Sequence, residues 1–304
     1  MATSNLSPTV TVAIPTIGRF EEVRDTVETI LGGSRIPDEI LVSDQNHPPI
    51  PKLDSYLATR APLVRHFRTE PKGVVFNMNA LLRAAKGDII LYLDDDIVPS
   101  PRLVEAHLAN YADSAIHGVA GRVEQPAGDL PSEKVGRVGA FEPWTGRTTF
   151  RFNGLVRQKC VFAPGGNMSF RRTDLLEIAG FDEEFVGNGY FFESDASLRF
   201  AKRFPGGLVF DPAAELKHLA SPRGGARILD RSIHHAFFVR NGIRLYRRHS
   251  PALAIPFLAL KLAALTIAKA VYRGSPEIAT RGLAALGAGF ASRLELKDTT
   301  PSTR

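Results

Sequence analysis

Leu91-Tyr92-Leu93-Asp94-Asp95-Asp96-Ile97-Val98-Pro99 is the stretch on which the reading of this chain turns. An apolar run delivers three consecutive carboxylates, and a proline closes the segment. Asp is a poor strand residue and costly to bury unpaired, so three together at a strand end call for a cation or strong donors nearby. Oxygen ligands of this kind suit Mg²⁺ or Mn²⁺, which complete their shells with phosphate oxygens and water. The run therefore predicts a divalent metal holding a diphosphate. The plainer alternative is a solvated acidic turn.

Upstream, β-branched and helical patterns alternate. Thr9 to Ile14 is apolar and bounded by Pro15, which reads as a buried strand. Glu21 to Leu31 places Val23, Val27, Ile30 and Leu31 on one helical face, and Gly32-Gly33 stops it. Glu39 to Val42 and Val64 to Arg68 predict further strands, Asn77 to Ala85 a helix, and Asp88 to Leu93 the strand that carries the carboxylates. Ser100-Pro101 predicts a helix start, with Ser as N-cap and Pro at the first position. Short strand–helix units argue for a mostly parallel, Rossmann-like α/β sheet, in which ligands bind at the carboxyl ends of the strands. Asp44 and the Asp94–Asp96 cluster both fall on that rim.

Downstream, Gly118 to Val161 is rich in Gly, Pro and charge, with no periodicity that decides its topology; it holds Trp144, the only tryptophan. Thr173 to Ala179 predicts a short helix, and Gly207 to Phe210 a strand preceding His218.

The 304 residues, 44% hydrophobic and 23% charged, have a globular balance. A net charge of +6 fits nucleic acid, phosphorylated ligands or an anionic membrane surface about equally well. The basic residues are not interleaved with aromatics, so no nucleic-acid partner is expected. Cys160 is the only cysteine, which excludes a disulfide within the chain. Met1 to Thr9 has neither a basic start nor an apolar run, so no signal peptide is expected and the setting is read as cytoplasmic.

In order and spacing, these features resemble the inverting family 2 glycosyltransferases of the glycosyltransferase A (GT-A) fold. The resemblance covers roughly residues 9 to 240. It is carried by TVAIPTIGR (11–19), ILVSDQN (40–46), GVVFNMNALLRAAKGDIILYLDDDIVP (73–99), PGGNMSFRR (164–172), AGFDEEF (179–185), FFESDASLR (191–199) and His218. It implies one catalytic domain over 1–240, with a nucleotide-binding half at 9–117 and an acceptor and catalytic half at 118–240, followed by a helical extension at 241–304. By the same resemblance Pro15, Thr16 and Arg19 lie along the nucleoside, Asp44 contacts the base, and Asn79 sits on the helix beneath the nucleotide. Asp94 and Asp96 match the acidic ends of an Asp-x-Asp metal and diphosphate motif, with Asp95 between them. His218 completes that site, and Gly165, Gly166 and Asn167 match the donor and acceptor sugar loop.

The implied reaction moves a sugar from a nucleoside-diphosphate sugar, UDP-like or dTDP-like, to a hydroxyl of a glycan or lipid-linked acceptor. Inversion needs a carboxylate to take the hydroxyl proton. The family places this base about six residues before an arginine, and counting back from Arg199 gives Glu193, where an aspartate is usual. Asp195 is the second choice. The two side chains share a side if the segment is extended and diverge by roughly 200° if it is helical. Both are also suited to cap a helix beginning near Ala196. Trp144 is a candidate stacking platform for acceptor sugar, and Arg223 and Arg227 are candidate phosphate clamps. Two rivals are a catalytically degenerate nucleotide-sugar-binding protein and a haloacid-dehalogenase-type phosphatase, whose Asp-x-Asp-x-Val pattern Asp94 to Val98 also satisfies.

From Arg240 onward the composition shifts. Arg240, Arg244, Arg247 and Arg248 precede Ala252 to Tyr272, an apolar run interrupted by Pro256, Lys261 and Lys269. An interfacial helix preceded by arginines fits binding to the anionic inner face of a membrane; the alternative is a helix that packs back on the catalytic domain or on another subunit.

Overall fold

Val10–Thr16 (β1) is buried along almost its whole length, as a strand covered on both faces must be. It pairs in parallel with Glu39–Asp44 (β2) on one side and Ile89–Leu93 (β4) on the other, and Val64–Arg68 (β3) extends the sheet beyond β2. The computed structural model describes residues 7–127, 130–131, 133, 138–226 and 228–295. Helices Glu21–Leu31 (α1), Pro51–Ala58 (α2) and Val74–Ala84 (α3) connect these strands. Helix α3 starts three residues before its expected position because Gly73, at φ +101°, turns the chain directly into it.

The helix expected from Ser100-Pro101 begins instead at Leu103 (α4, Leu103–Ala109), and no side chain caps it. Ile97–Pro99 (β5) is drawn out against Leu208–His218 (β11), and Ser100 N donates to Glu215 O at 3.0 Å, so Ser100 still belongs to the sheet edge. Strand β11 runs eight residues further than the apolar pattern predicts. An irregularity between Asp211 and Glu215 carries it past Pro212 to His218.

The segment without a legible pattern supplies Gly118–Glu124 (β6), a hairpin of Ala140–Glu142 (β7) and Arg147–Thr149 (β8), and Gln158–Lys159 (β9). Asn167–Arg171 (β10) then inserts antiparallel between β4 and β6, giving the order β3-β2-β1-β4-β10-β6-β11-β5. The two expected halves thus share one sheet. Because Asn167 is opposite Leu93, the preceding glycines lie against Asp94, whose N–H donates to Gly166 O. Arg172–Glu177 (α5) and Phe192–Arg203 (α6) follow.

The expected boundary at 240 falls inside Arg231–His249 (α7), which packs with Ile255–Arg273 (α8) and Pro276–Ala291 (α9). The arginines of α7 are not at a surface that lipid headgroups could reach. Arg244 is fully buried and grips Asp182, Arg240 pairs with Glu184 at 3.2 Å, and Arg247 donates to the carbonyls of Gly289 and Ser292, both at 2.8 Å. Arg248 Nη1 lies 2.7 Å from both Asp182 and Asp195. The sequence reading of a basic membrane cluster is therefore corrected: Arg244 and Arg248 compensate buried carboxylates of the sheet-bearing domain, Arg240 pairs with the part-exposed Glu184, and Arg247 holds carbonyls at the end of α9.

Asp195 is also met by Arg199 at 2.9 Å and by His249 at 2.9 Å. Burial alone would push its carboxyl up, but Arg199, His249 and Arg248 outweigh it and hold the group far below the usual range. Arg248→Ala leaves two buried carboxylates short of a partner and is expected to cost about 3–5 kcal/mol in urea unfolding. Since Asp195 is depressed in the folded state, its contribution is complete above the unfolded aspartate value of about 4 and drains away as the pH falls below it. The wild-type advantage over Asp195→Asn should shrink on acidification.

Candidate active site

Strand β4 ends at Leu93, so the next three side chains alternate around the exposed rim of the sheet. Each finds a different environment. Asp95 turns inward, where Thr16 Oγ1 donates to it at 2.6 Å and Arg19 forms a close ion pair. Asp96 is buried; it accepts from Ser221 N at 2.8 Å, forms an ion pair with Arg19 at 3.0 Å, and faces His218 Nε2 at 3.2 Å. Burial works against its charge, yet His218, Arg19 and the Ser221 amide hold it below the usual carboxylate range. Asp94 keeps 47% of its side chain exposed, 3.8 Å from His218 Nε2.

Asp94, Asp96 and His218 therefore offer ligand atoms that all lie within 4.8 Å of one another. In the tautomer with the proton on Nδ1, which can donate to Gln125 Oε1 at 2.8 Å, His218 Nε2 has its lone pair free on the side of the two carboxylates. That is the tautomer a cation ligand needs, with its outer partner in place. A proton competes for the same lone pair: the hydrogen bond to Asp96 and the charge of Asp94 raise the imidazole above its ordinary value. With Arg19 offsetting one carboxylate, the donor set fits one divalent cation. Gly166 makes room for it, since a Cβ there would overlap the Asp94 carboxylate.

Two cavities meet at this point, sharing Pro15, Val74, Asp94 and His218. The first, about 490 Å³, contains Thr16, Arg19, Gln45, Asn77 and all three aspartates. The second, about 470 Å³, contains Phe150 to Asn153, Gly165, Gly166, Phe192 and Glu193. Both are of a size that holds a small ligand.

Helix α6 begins at Phe192, not near Ala196, because Phe191 takes a left-handed conformation at φ +69° and turns the chain into it. Neither acid makes a side-chain cap. The helical geometry separates them: Glu193 faces the second cavity, and Asp195 is sealed into the Arg199–Arg248–His249 cage behind it. Burial, and then the neighbouring Asp94, push Glu193 up to about 7.

Several expected contacts lie elsewhere. Asn79 is buried away from both cavities: its Nδ2 donates to Phe181 O at 2.8 Å and its Oδ1 accepts from Phe181 N at 2.9 Å, clamping the loop before α6. Asp44 is fully buried and accepts from Asn46 N at 2.7 Å, with His66 and Asp54 grouped behind it. The cavity instead meets Gln45 and Asn77, one and two residues from the positions the motif suggests. Asn167 is an internal strut, donating to Arg122 O and Ala214 O and facing His107 Nε2 at 2.9 Å. Trp144 lines neither cavity; it is 62% exposed at the tip of the β7–β8 hairpin. Arg223 is exposed and its carbonyl accepts from Arg19 Nε at 2.8 Å, while Arg227 lies outside the described residues. The Phe150–Asn153 wall had no motif to reveal it.

A mixed sheet with an acidic strand end at the seam of two cavities defines a GT-A type of α/β protein. The chain belongs to glycosyl transferase family 2, whose profile matches residues 11–178. It is 22% identical over 218 residues to the glucosyl-dolichyl phosphate glucuronosyltransferase of Haloferax volcanii, covering 69% of this chain and 68% of that one. Among solved structures it resembles GalNAc-T7 with UDP, GalNAc and Mn²⁺, at TM-score 0.61 and 17% identity over 81% of this chain; the chain spans about half (48%) of that protein. It also resembles the mannosyltransferase PcManGT of Pyrobaculum calidifontis with GDP-Man and Mn²⁺, at TM-score 0.55 and 16% identity, covering 94% of this chain and 87% of that one. Family membership sets aside the phosphatase reading.

Gly166→Ala is expected to displace the Asp94 carboxylate and weaken Mn²⁺ binding by about tenfold or more in calorimetry, with the unfolding midpoint little changed. Unaltered Mn²⁺ affinity would remove Asp94 from the ligand set.

Proposed function

We propose that the protein is an inverting, metal-dependent hexosyl- or deoxyhexosyltransferase. It takes a sugar from a UDP-like or dTDP-like donor and gives it to a hydroxyl of a glycan or lipid-linked acceptor. The setting is surface polysaccharide or lipid-linked glycan synthesis at the inner face of the membrane. One observation carries the reading: Glu193, the one acid besides Asp94 that lines the second cavity among the described residues, lies across the seam from Asp94 and His218. A diphosphate in the first cavity would put the donor sugar between them. The UDP and GDP-Man named for the two structural neighbours support a nucleotide-sugar donor, and the Mn²⁺ in both supports a divalent ion.

In this scheme Asp94, Asp96 and His218 hold Mg²⁺ or Mn²⁺, and Thr16, Arg19, Gln45 and Asn77 line the nucleotide. Such an ion would offset charge growing on the departing diphosphate, worth several kcal/mol of barrier. Glu193 takes the proton of the acceptor hydroxyl as its oxygen attacks the anomeric carbon from the face opposite the diphosphate. The bond to the carrier breaks and its electron pair leaves with the diphosphate. Asp95 acts indirectly, by fixing Arg19, and Asp195 by fixing the helix that bears Glu193. A base near neutrality suits this task, since it is ionised at working pH yet still accepts a proton.

A thermal-shift panel of nucleotide sugars, run with and without Mn²⁺, tests the class. One donor should raise the midpoint in a metal-dependent way, and no response to any donor would refute the proposal. Glu193→Gln should lower kcat by about a hundredfold or more while donor affinity holds. In the wild type the rate should fall as pH drops through about 7, because protonated Glu193 cannot act as base. That limb should be missing from the residual activity of the variant.

A further inference from the structure

Helix α8 carries two stripes of opposite fate. Ala254, Leu258, Leu262, Thr266 and Ala270 repeat every four residues and are buried. Leu262 lies in van der Waals reach of Gly242 on α7, and Thr266 abuts Gly282 on α9. The other stripe, Leu253, Phe257, Leu260, Ile267 and Val271, follows helical spacing on the outside and is open to solvent, with Phe257 74%, Leu260 69% and Val271 77% exposed. Leu283 and Phe290 on α9 continue it, and Trp144 stands at its margin beside Thr145, whose carbonyl accepts from Lys261 Nζ at 3.0 Å. A continuous apolar face of this kind marks an interaction site rather than scattered surface residues.

We propose that this outward face of α8, extended by α9 and Trp144, is the surface by which the protein seats in one leaflet of a phospholipid bilayer. The inference rests on the membrane setting proposed above and names the surface and the force responsible.

Charge decides the occupant. From Pro251 to Pro276 the chain has no Asp or Glu, and its only charges are Lys261, Lys269 and Arg273. Both lysines are drawn to the margins of the apolar stripe: Lys261 to the hairpin, and Lys269 to His235 Nδ1 at 3.3 Å. An apolar helix face whose only charges along α8 are cationic matches acyl chains beneath phosphate headgroups. Trp144 near one end and Tyr272, 81% exposed, at the other supply the aromatic residues that favour the headgroup level.

By length and composition α8, with the turn before it, could cross a membrane. Its packing says otherwise. His235 Nε2 lies 2.9 Å from Thr266 Oγ1, and α7 is strapped to the sheet-bearing domain by Arg244 and Arg248. A helix fastened along one side to a folded domain has only its other side for lipid, so it lies in the plane and sinks about 5–10 Å. Because the α7 arginines are committed inside, attachment is driven by apolar insertion and tolerates salt.

Flotation of the full chain with phosphatidylcholine vesicles, with and without phosphatidylglycerol, tests this. The wild type should float with both compositions at low and high salt, more strongly with phosphatidylglycerol. The exposed double variant Phe257→Asp/Val271→Asp should lose flotation by at least tenfold, with an unchanged unfolding midpoint and unchanged donor hydrolysis. Recovery of wild type independent of vesicles, or undiminished flotation of the variant, would overturn the proposal. So would conversion of a wild-type dimer to a monomer by the same variant in light scattering without vesicles, since a second copy would then be the occupant. Flotation without any nucleotide-sugar turnover would instead leave this surface standing and sink the catalytic reading.

Discussion

Three adjacent carboxylates can share one strand end only if each is answered separately. Asp95 is neutralised from behind by Arg19 and Thr16, Asp96 is held by the Ser221 amide and His218, and Asp94 alone stays half in solvent. Repulsion among like charges a few ångströms apart would otherwise splay the tip or protonate it. The partners come from β1 and the loop after it and from the end of β11 and the segment that follows, so the tip also ties these two non-adjacent strands together. Gly225 N donates to Ile17 O at 2.9 Å across the same junction, and a Cβ on Gly224 would strike that carbonyl. Geometry around the cation site thus depends on contacts spanning some two hundred residues.

The antiparallel strand β10 makes the second cavity. In an all-parallel sheet the space beside Asp94 would be filled by another crossover connection. Inserting a returning strand there brings its approach loop, Gly165–Gly166, against the carboxylate, and leaves an opening in front of α6. Glu193 enters that opening because the left-handed Phe191 sets the first turn of the helix.

The strands and helices of the first hundred residues were legible because each has one strong period and a clear stop. The acidic tip, His218 and Glu193 were legible as residue types in order. What the sequence could not supply is direction. Asp44 and Gln45, Asn77 and Asn79, and Glu193 and Asp195 are near neighbours whose side chains part company once the backbone is fixed. In each pair a motif picks the segment, and only the local helix or turn decides which member meets the cavity. The α7 arginines were misread for a related reason. A row of cations before an apolar run has the composition of a membrane anchor, and nothing local reveals buried Asp182 and Asp195 some fifty to sixty residues earlier.

That ladder of ion pairs makes the tail and helix α6 one mechanical piece. Exchange of C-terminal segments between relatives would work only where the incoming segment brings matching cations in register with Asp182 and Asp195. Diversification of this region is therefore expected to proceed on the outer side of the last two helices, leaving the inner side fixed, so that one chassis acquires new cellular addresses without retuning its chemistry.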